Sequence, residues 1–319
     1  MIIVFKASKN VQEKMIDFYK DLYRPTKPPY SVFQAQSADV VITLYESGKV
    51  MFQGISADIE ANIWKDQESH LNKRDINKEI EKDEKKKEKK KQEIKNDMLS
   101  LKNISAIGSD EVGTGDFYGP IVVTACYVPK EKELEVADLG VKDSKLLGDE
   151  KIINIAPKII KYVDYKSYSL NNKDFNEYTK KGYNMNKIKA ILHNKVLLAL
   201  KKAHINEYDK IIVDQFALPQ KYFEHLKDAG EIVQDITFTP KAETKSIAVA
   251  CASIVSRYLF LKEMDKLSDS LGITLPKGAN EIADVVGVSI VEKYGFDKLN
   301  EVSKMSFKNI DKIKEKMAK

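Results

Sequence analysis

A highly charged segment in the first third of the chain limits the possible folds more than any other feature of the sequence. Residues 72–95 read NKRDINKEIEKDEKKKEKKKQEIK, in which the apolar side chains are Ile76, Ile80 and Ile94. Such a segment cannot bury a face against a core, so it predicts a solvated helix or a flexible linker. We therefore expect two domains, residues 1–71 and 100–319, joined by a charged linker over residues 72–99.

Residues 1–71 predict a small α+β domain. Apolar stretches predict strands at MIIVFKA, YSVFQAQ, DVVITLYE and KVMFQG, with a hairpin turn at residues 46–48. Helical spacing of apolar residues follows the first strand in KNVQEKMIDFYKDLY, and a second helix is expected to begin near Ser56. The expected order is βαβββα, which describes a sheet backed by helices on one side.

Residues 100–319 predict an α/β domain with a mixed β-sheet flanked by helices. Strands are expected at NISAIG, PIVVTACYV, DYKSYSL, YDKIIVDQF and IVQDITFTP. An amphipathic helix is expected at KIKAILHNKVLLALKKA, and a long helix from about Glu243 through Leu267. Antiparallel strands followed by βαβ elements are typical of a mixed sheet.

Composition excludes several classes of protein. The net charge of +5 permits a polyanionic partner without requiring one. The two cysteines, Cys126 and Cys251, have apolar neighbours, which predicts buried thiols in a reducing compartment rather than a disulfide or zinc site. The N-terminus is unlike a signal peptide, and no apolar run approaches the roughly 20 residues that span a bilayer. We expect a cytoplasmic protein, without membrane association and without features of an oligomer, hence a monomer.

The stretch GSDEVGTGDFYGPIVV at 108–123 places carboxylates and glycines between two apolar segments. Asp110 is expected just after the first strand of the second domain, followed by Glu111. Asp214 ends the strand KIIVD, and Glu243 lies in the expected first turn of the long helix. Each acid alone has an ordinary structural explanation, such as a polar turn, a strand end or a favourable place near a helix dipole.

The four acids together indicate a metal site, because residues at the ends of sheet strands can converge at one edge. Four close carboxylates repel one another unless cations neutralise them. Oxygen ligands without His or Cys favour hard cations, Mg²⁺ or Mn²⁺. Two such ions form the arrangement used for phosphodiester displacement. This chemistry needs no protein nucleophile, and the sequence has no Ser-His-Asp or Cys-His pattern; His193 is expected to be a satisfied core histidine.

The blocks GSDEVGTGDFYGPIVVTACYV, VKDSKLL, KIIVDQF and FTPKAETKSIAVACASIVSRY resemble the type 2 ribonucleases H, and within them the ribonuclease HIII family. The resemblance covers essentially the whole chain, and it implies a ribonuclease H-like domain preceded by a small domain that resembles half of a TATA-binding protein. It assigns the catalytic and metal-binding carboxylates to Asp110, Glu111, Asp214 and Glu243. Glu243 and the Gly-Thr-Gly sequence distinguish the chain from ribonuclease HII, where Asp and Gly-Arg-Gly are typical.

The resemblance also implies a substrate, the RNA/DNA hybrid duplex, whose RNA strand is cut internally to leave 5′-phosphate and 3′-hydroxyl ends. Gly113, Thr114 and Gly115 are expected to present backbone groups to the 2′-hydroxyls that distinguish RNA from DNA. Ser144 and Lys145 match a family segment and become candidate substrate contacts, although an ordinary polar loop explains them equally well. Asp116 is expected to be a turn residue.

By the same resemblance, the first domain is expected to bind the hybrid through its sheet. The candidate residues on the binding face are Lys6, Tyr30, Phe33, Tyr45, Lys49 and Phe52. Residues 1–70 contain eight basic and nine acidic side chains, so such binding needs local clustering of positive charge on one face.

Three other functions compete with this interpretation. The first is ribonuclease HII-like cleavage at single embedded ribonucleotides, and the second is a hybrid-binding protein without catalysis. The third, phosphate transfer on nucleotides, is disfavoured because the sequence has no Gly-x-x-x-x-Gly-Lys-Ser/Thr loop.

Overall fold

A computed structural model of the 319-residue chain describes residues 1–85, 88, 101–141 and 147–318. The chain divides into two compact units, Met1–Asn96 and Asp97–Lys319. Among the described residues, no helix is long and apolar enough to cross a membrane. Residues 86–87 and 89–99 of the expected linker lie outside the described residues.

The first unit contains a four-stranded antiparallel sheet with helices α1 and α2 on one face, and residues 76–85 after them are also helical. Its elements are β1 (Ile2–Lys6), α1 (Lys9–Tyr19), β2 (Ser31–Ser37), β3 (Val40–Tyr45), β4 (Lys49–Gly54) and α2 (Ala57–Asn72), and a short 3-10 turn, Lys20–Leu22, follows α1. The strand order is β1-β4-β3-β2. The βαβββα order expected from the sequence is therefore confirmed.

Apolar residues at alternate positions of the strands meet α1 and α2 in the core of the first unit. Phe33 and Phe52 are 2% and 0% exposed and belong to this core, so their expected place on a binding face was wrong. Lys6, Tyr30 and Lys49 are exposed, and Tyr45 is partly exposed. Lys6 and Lys49 lie directly opposite each other on β1 and β4, which puts two positive charges together at one point of the sheet.

The chain after α2 remains attached to the first unit. α2 ends at Asn72 and is capped by Lys73, whose left-handed backbone lets its N–H bond the carbonyls of Glu68 and Ser69. Arg74 then pairs with Glu79 at 2.6 Å and with the fully buried Glu68 at 3.2 Å. Ile76 is 2% exposed and packs in the core. The start of the expected linker thus does bury an apolar side chain.

The second unit is built on a five-stranded mixed sheet of order β7-β6-β5-β8-β9. Its strands are β5 (Ala106–Val112), β6 (Ile121–Val128), β7 (Asp164–Leu170), β8 (Lys210–Asp214) and β9 (Ile236–Thr239). β5 pairs with β6, and β6 with β7, in antiparallel fashion, whereas β8 runs parallel to both β5 and β9. This is the mixed sheet expected from the sequence.

Helices cover both faces of this sheet. They are α3 (Glu133–Asp138), α4 (Asp149–Ile159), α5 (Asn172–Lys180), α6 (Met185–Ala203), α7 (Pro219–His225), α8 (Ile247–Leu271), α9 (Glu281–Tyr294), α10 (Phe296–Val302) and α11 (Asn309–Met317). The side chains of Val122 and Cys126 pack with α8 on one face, whereas Ile107 and Val123 pack with α6 on the other. Cys251 of α8 is also fully buried, and neither cysteine forms a disulfide.

Candidate active site

Asp110 and Glu111 lie within β5, not in a turn after it. Antiparallel pairing with β6 continues past both acids, with Asp110 opposite Thr124 and Val112 opposite Val122. The expectation that the first strand ends before Asp110 was therefore wrong, because the partner strand extends it. Successive side chains of a strand point to opposite faces, so the two neighbouring acids meet different surroundings.

Asp110 and Asp214 are neighbours on the α8 face of the sheet. β5 and β8 are parallel, and Ser109 pairs with Val213, so the two acids follow at adjacent strand positions. Burial and the nearby Glu111 and Asp214 charges raise the pKa of Asp110 well above its usual range, although a hydrogen bond from Ser253 opposes the rise. The N–H of Ala242 donates to Asp214 Oδ1 at 3.0 Å and holds that carboxylate in place.

Glu111 faces α6 and is held there by two basic side chains. Its Oε2 lies 2.9 Å from His193 Nε2, and its Oε1 pairs with the Lys189 ammonium. His193 is fully buried, and its Nδ1 lies 2.8 Å from Ser109 Oγ. Burial alone would raise the pKa of Glu111, but His193 and Lys189 outweigh it and lower the pKa below the usual range. Glu111 is thus kept ionised.

Sequence reasoning missed Lys189 and His193 as partners of a candidate catalytic acid. A signal was present, because the two residues are four positions apart and so share one face of a helix whose other buried positions are mainly apolar. A buried lysine is stabilised by an acidic partner, and a histidine one turn away can bond the same acid. That partner is Glu111.

Glu243 lies in a short 3-10 turn, Ala242–Thr244, that precedes α8 and is separate from it. The long helix therefore begins later than expected, after Lys241 adopts a left-handed backbone with φ of 56°. Glu243 is 3% exposed, and the preceding residue, Ala242, bonds Asp214. In the part of the chain that the structure describes, no three His, Cys, Asp or Glu side chains are gathered closely enough to hold a metal ion.

The structure therefore brings Asp110 and Asp214 together directly and brings the backbone before Glu243 to Asp214. The Glu111 side chain is held on the α6 side of the sheet by Lys189 and His193, and Glu111 also lines a cavity with Ser253 of α8. The two close aspartates fit a divalent cation chemically, because an all-oxygen pair with mutual repulsion is stabilised by positive charge. The assignment of all four acids as metal ligands stays a prediction.

The Gly-Thr-Gly sequence forms a wall of a cavity of about 430 Å³ that is also lined by Glu111 and by Ser253 and Arg257 of α8. Gly113 has φ of +95°, and a Cβ there would lie 2.2 Å from the Pro120 carbonyl oxygen, so the fold itself requires glycine. A Cβ at Gly115 would meet nothing within 4 Å. Gly115 therefore leaves its backbone open to a ligand.

The loop that carries this sequence is anchored by the C-terminal part of the second unit. Lys304 is fully buried, and its Nζ donates to the carbonyl oxygens of Asp116 at 2.8 Å and Gly119 at 2.6 Å. The Asp116 carboxylate accepts the N–H of Gly278 at 2.6 Å, and Phe117 N–H donates to the Gly278 carbonyl. Asp116 is thus more than a turn residue, since it ties the loop to a distant segment.

Ser144 and Lys145, the other candidate substrate contacts, lie outside the described residues. Their role stays a prediction.

Comparison with known proteins places this arrangement in a family. A family model described as Ribonuclease HII matches residues 107–310, and a model described as a domain of unknown function matches residues 2–77. The ribonuclease HIII of Bacillus licheniformis is 40% identical over 313 residues, which cover 98% of this chain and 97% of the relative. The chain belongs to the ribonuclease HIII family. It is accordingly a ribonuclease H enzyme.

Other members of the ribonuclease HIII family are also similar to this chain over nearly its whole length. The ribonuclease HIII of Geobacillus kaustophilus is 39% identical over 311 residues, which cover 97% of this chain and 96% of that protein. The crystal structure of Bst-RNase HIII in complex with Mn²⁺ matches with a TM-score of 0.67 and 36% identity, covering 99% of this chain and 98% of that one. The fold expected from the sequence, a ribonuclease H-like domain after a small α+β domain, is confirmed.

Proposed function

We propose that this enzyme hydrolyses the RNA strand of RNA/DNA hybrids at internal positions. The observation that carries the proposal is the pair Asp110 and Asp214, two acids at neighbouring strand positions on one face of the sheet, together with Ser253, which bonds Asp110 and lines the cavity walled by Gly113–Gly115. Two neighbouring acids can bind divalent cations, and those cations can bind the phosphate of a substrate that lies in the glycine-lined cavity. Membership of the ribonuclease HIII family supports the same reaction.

Asp110 and Asp214 are the residues proposed to hold divalent cations, Mg²⁺ or Mn²⁺, with Glu111 and Glu243 completing the set. When bound, two such ions supply activation of a water and stabilisation of the leaving 3′ oxygen, a reaction that yields 5′-phosphate and 3′-hydroxyl ends. The protein prepares the ligands. Ala242 N–H orients Asp214, Ser253 bonds Asp110, and Lys189 with His193 keeps Glu111 ionised.

Recognition of RNA is assigned to the backbone of Gly113, Thr114 and Gly115. The absence of a Cβ at Gly115 lets a ribose come close enough for its 2′-hydroxyl to bond main-chain groups. Lys304 does not touch the substrate in this proposal, but it holds the loop in place by bonding the carbonyls of Asp116 and Gly119. Ser144 and Lys145 are proposed as further contacts to the substrate backbone.

The first unit is proposed to bind the hybrid through the sheet face opposite α1 and α2. Lys6 and Lys49 lie opposite each other there, and like charges at such positions destabilise a sheet unless an anion lies between them. A phosphate backbone is such an anion. This cross-strand pair supplies the local positive charge that a nearly neutral domain needs for binding nucleic acid.

Cleavage of two labelled duplexes tests the proposal. One carries a continuous RNA strand against DNA, and the other carries a single ribonucleotide within DNA; each is incubated with Mg²⁺, with Mn²⁺ and with EDTA. We expect metal-dependent cutting of the continuous hybrid. The match to the Ribonuclease HII model favours cleavage at the single ribonucleotide as the second candidate, and cutting there would support it. Cleavage of neither duplex would contradict both candidates.

The variant Asp110→Asn tests the assignment of the acids. It should lose cleavage of the continuous hybrid while retaining hybrid affinity, because the carboxylate acts on cations rather than on the duplex. Asp265→Asn, which changes an exposed acid on α8, is the matched control and should cleave normally. Near-normal turnover by the Asp110 variant with Mg²⁺ would refute the assignment.

A further inference from the structure

A three-residue charge cluster lies beside the Gly-Thr-Gly loop and is separate from the four acids. Asp149, in the first turn of α4, accepts from Arg257 Nε at 2.9 Å and from Arg257 Nη2 at 3.3 Å. Lys277 also pairs with this carboxylate. Burial alone would raise the pKa of Asp149, but the two cations outweigh burial and lower it. Two positive groups therefore share one negative group, and the cluster carries one excess positive charge.

Arg257 brings this excess charge to the cavity that Gly113–Gly115 line. Among the described residues of the cavity wall, Arg257 is the one basic side chain, whereas Glu111, Asp116 and Asp149 are acidic. These acids already have partners. Glu111 is bound by Lys189 and His193, Asp116 accepts from Gly278, and Asp149 accepts from the cluster itself. Arg257 thus places the positive charge of the cluster at the cavity wall, where it attracts an anionic ligand.

The guanidinium of Arg257 is suited to a second acceptor. It has five N–H donors in a fixed plane, and the contacts to Asp149 use Nε and one Nη group. The other edge of the plane carries the second Nη group, Nη1. Phosphate oxygens are the acceptors that arginine binds best, because their spacing matches the guanidinium fork. The side chain is about a quarter exposed, so it is accessible from the cavity.

We propose that Arg257, oriented by Asp149, contacts a backbone phosphate of the RNA strand whose ribose lies against Gly113–Gly115. The inference rests on the proposed function, since it assigns a further substrate contact within the same site. The phosphate contact would set the position of the strand along the loop without reading its sequence. Because Lys277 also pairs with Asp149, this carboxylate neutralises less of the Arg257 charge, and Arg257 attracts a phosphate more strongly.

Two variants with opposite expected effects test the proposal. Binding of a continuous RNA/DNA hybrid is measured in EDTA, where no cleavage occurs, over a range of salt concentrations. Arg257→Gln should weaken binding roughly tenfold and reduce the slope of log affinity against log salt by about one unit. Asp149→Asn should strengthen binding several-fold, because it removes the anion that competes with phosphate for the guanidinium. Lys266→Gln, an exposed cation on α8, is the control and should change neither quantity.

The two variants also separate a substrate contact from a structural brace between α4 and α8. Both remove the Arg257–Asp149 ion pair, so both should lower the midpoint of thermal unfolding, and Asp149→Asn should lower it further because it also removes the pair with Lys277. If the ion pair affected binding only by holding α4 and α8 together, both variants would weaken binding. This result would overturn the proposal. Unchanged affinity of Arg257→Gln in an enzyme that cuts the hybrid would also overturn it while leaving the proposed function intact. Failure of the wild-type protein to bind or cut hybrid would instead refute the proposed function.

Discussion

The buried Lys304 makes a specific prediction about how stability depends on pH. Its side chain is enclosed and bonds the carbonyls of Asp116 and Gly119. Burial lowers its pKa from 10.5 to about 7, although the nearby Asp116 charge opposes the shift. The neutral amine still has two N–H donors for the two carbonyls. The variant Lys304→Met keeps a side chain of similar length but removes the titrating group and both donors.

The size of the effect follows from proton linkage. Because the folded-state pKa is depressed, the unfolded chain binds more protons than the folded protein between about pH 7 and pH 10.5. The free energy of unfolding of the wild type should therefore rise with pH across this window. One pKa unit corresponds to about 1.4 kcal/mol, so the gain from about pH 7 to about pH 9 is about 2 kcal/mol. The Met variant lacks this gain, and the stability gap between the two proteins should widen by that amount.

Urea unfolding at several pH values, followed by far-ultraviolet circular dichroism, measures this gap. Lys308→Met, which changes an exposed lysine nearby, is the control and should follow the wild type at every pH. The single tryptophan, Trp64, is buried in the first unit, so its fluorescence reports that unit separately. Its transition should be the same in all three proteins. Parallel stability curves for the wild type and the Lys304 variant from about pH 7 to about pH 9 would refute the reasoning.

Two further predictions concern the substrate contacts. Gly113→Ala should lower the free energy of unfolding by about 2 kcal/mol or more, because its Cβ would strike the Pro120 carbonyl, whereas Gly115→Ala should fold normally and cut the hybrid more slowly. Thermal unfolding and cleavage rates of the two variants check this, and equal stability losses would contradict it. The double variant Lys6→Gln with Lys49→Gln should weaken hybrid binding and reduce its salt slope by about one to two units, whereas Lys9→Gln, at the start of α1, should not. Identical salt slopes for both would exclude the sheet face of the first unit.

Sequence patterns predicted the elements that local chemistry determines. The strands at KVMFQG and DYKSYSL were predicted with their observed bounds, because runs of strand-forming residues end at clear turns or polar residues. The order of elements in both units followed from the same patterns. Family motifs located Asp110, Glu111 and the Gly-Thr-Gly loop on a strand and a loop that line one cavity, and Asp214 on the neighbouring strand.

Features that depend on tertiary contacts were not predicted. The extent of β5 depends on β6, because Ser-Asp-Glu is a poor strand sequence that pairing holds extended. The buried position of Phe33 and Phe52 depends on which sheet face the helices cover, and strand alternation alone does not specify that face. The pairing of Glu111 with Lys189 and His193 joins residues about 80 positions apart.

The two buried cysteines have a practical consequence for studying the second unit. Burial raises the pKa of both thiols, and since the thiolate is the reactive form, Cys126 and Cys251 should resist thiol reagents while the sheet and α8 stay packed together. Opening of that layer exposes both at once. The rate at which a thiol reagent labels the two cysteines therefore measures how often the second unit opens in the native protein. The measurement needs no denaturant and no engineered cysteine.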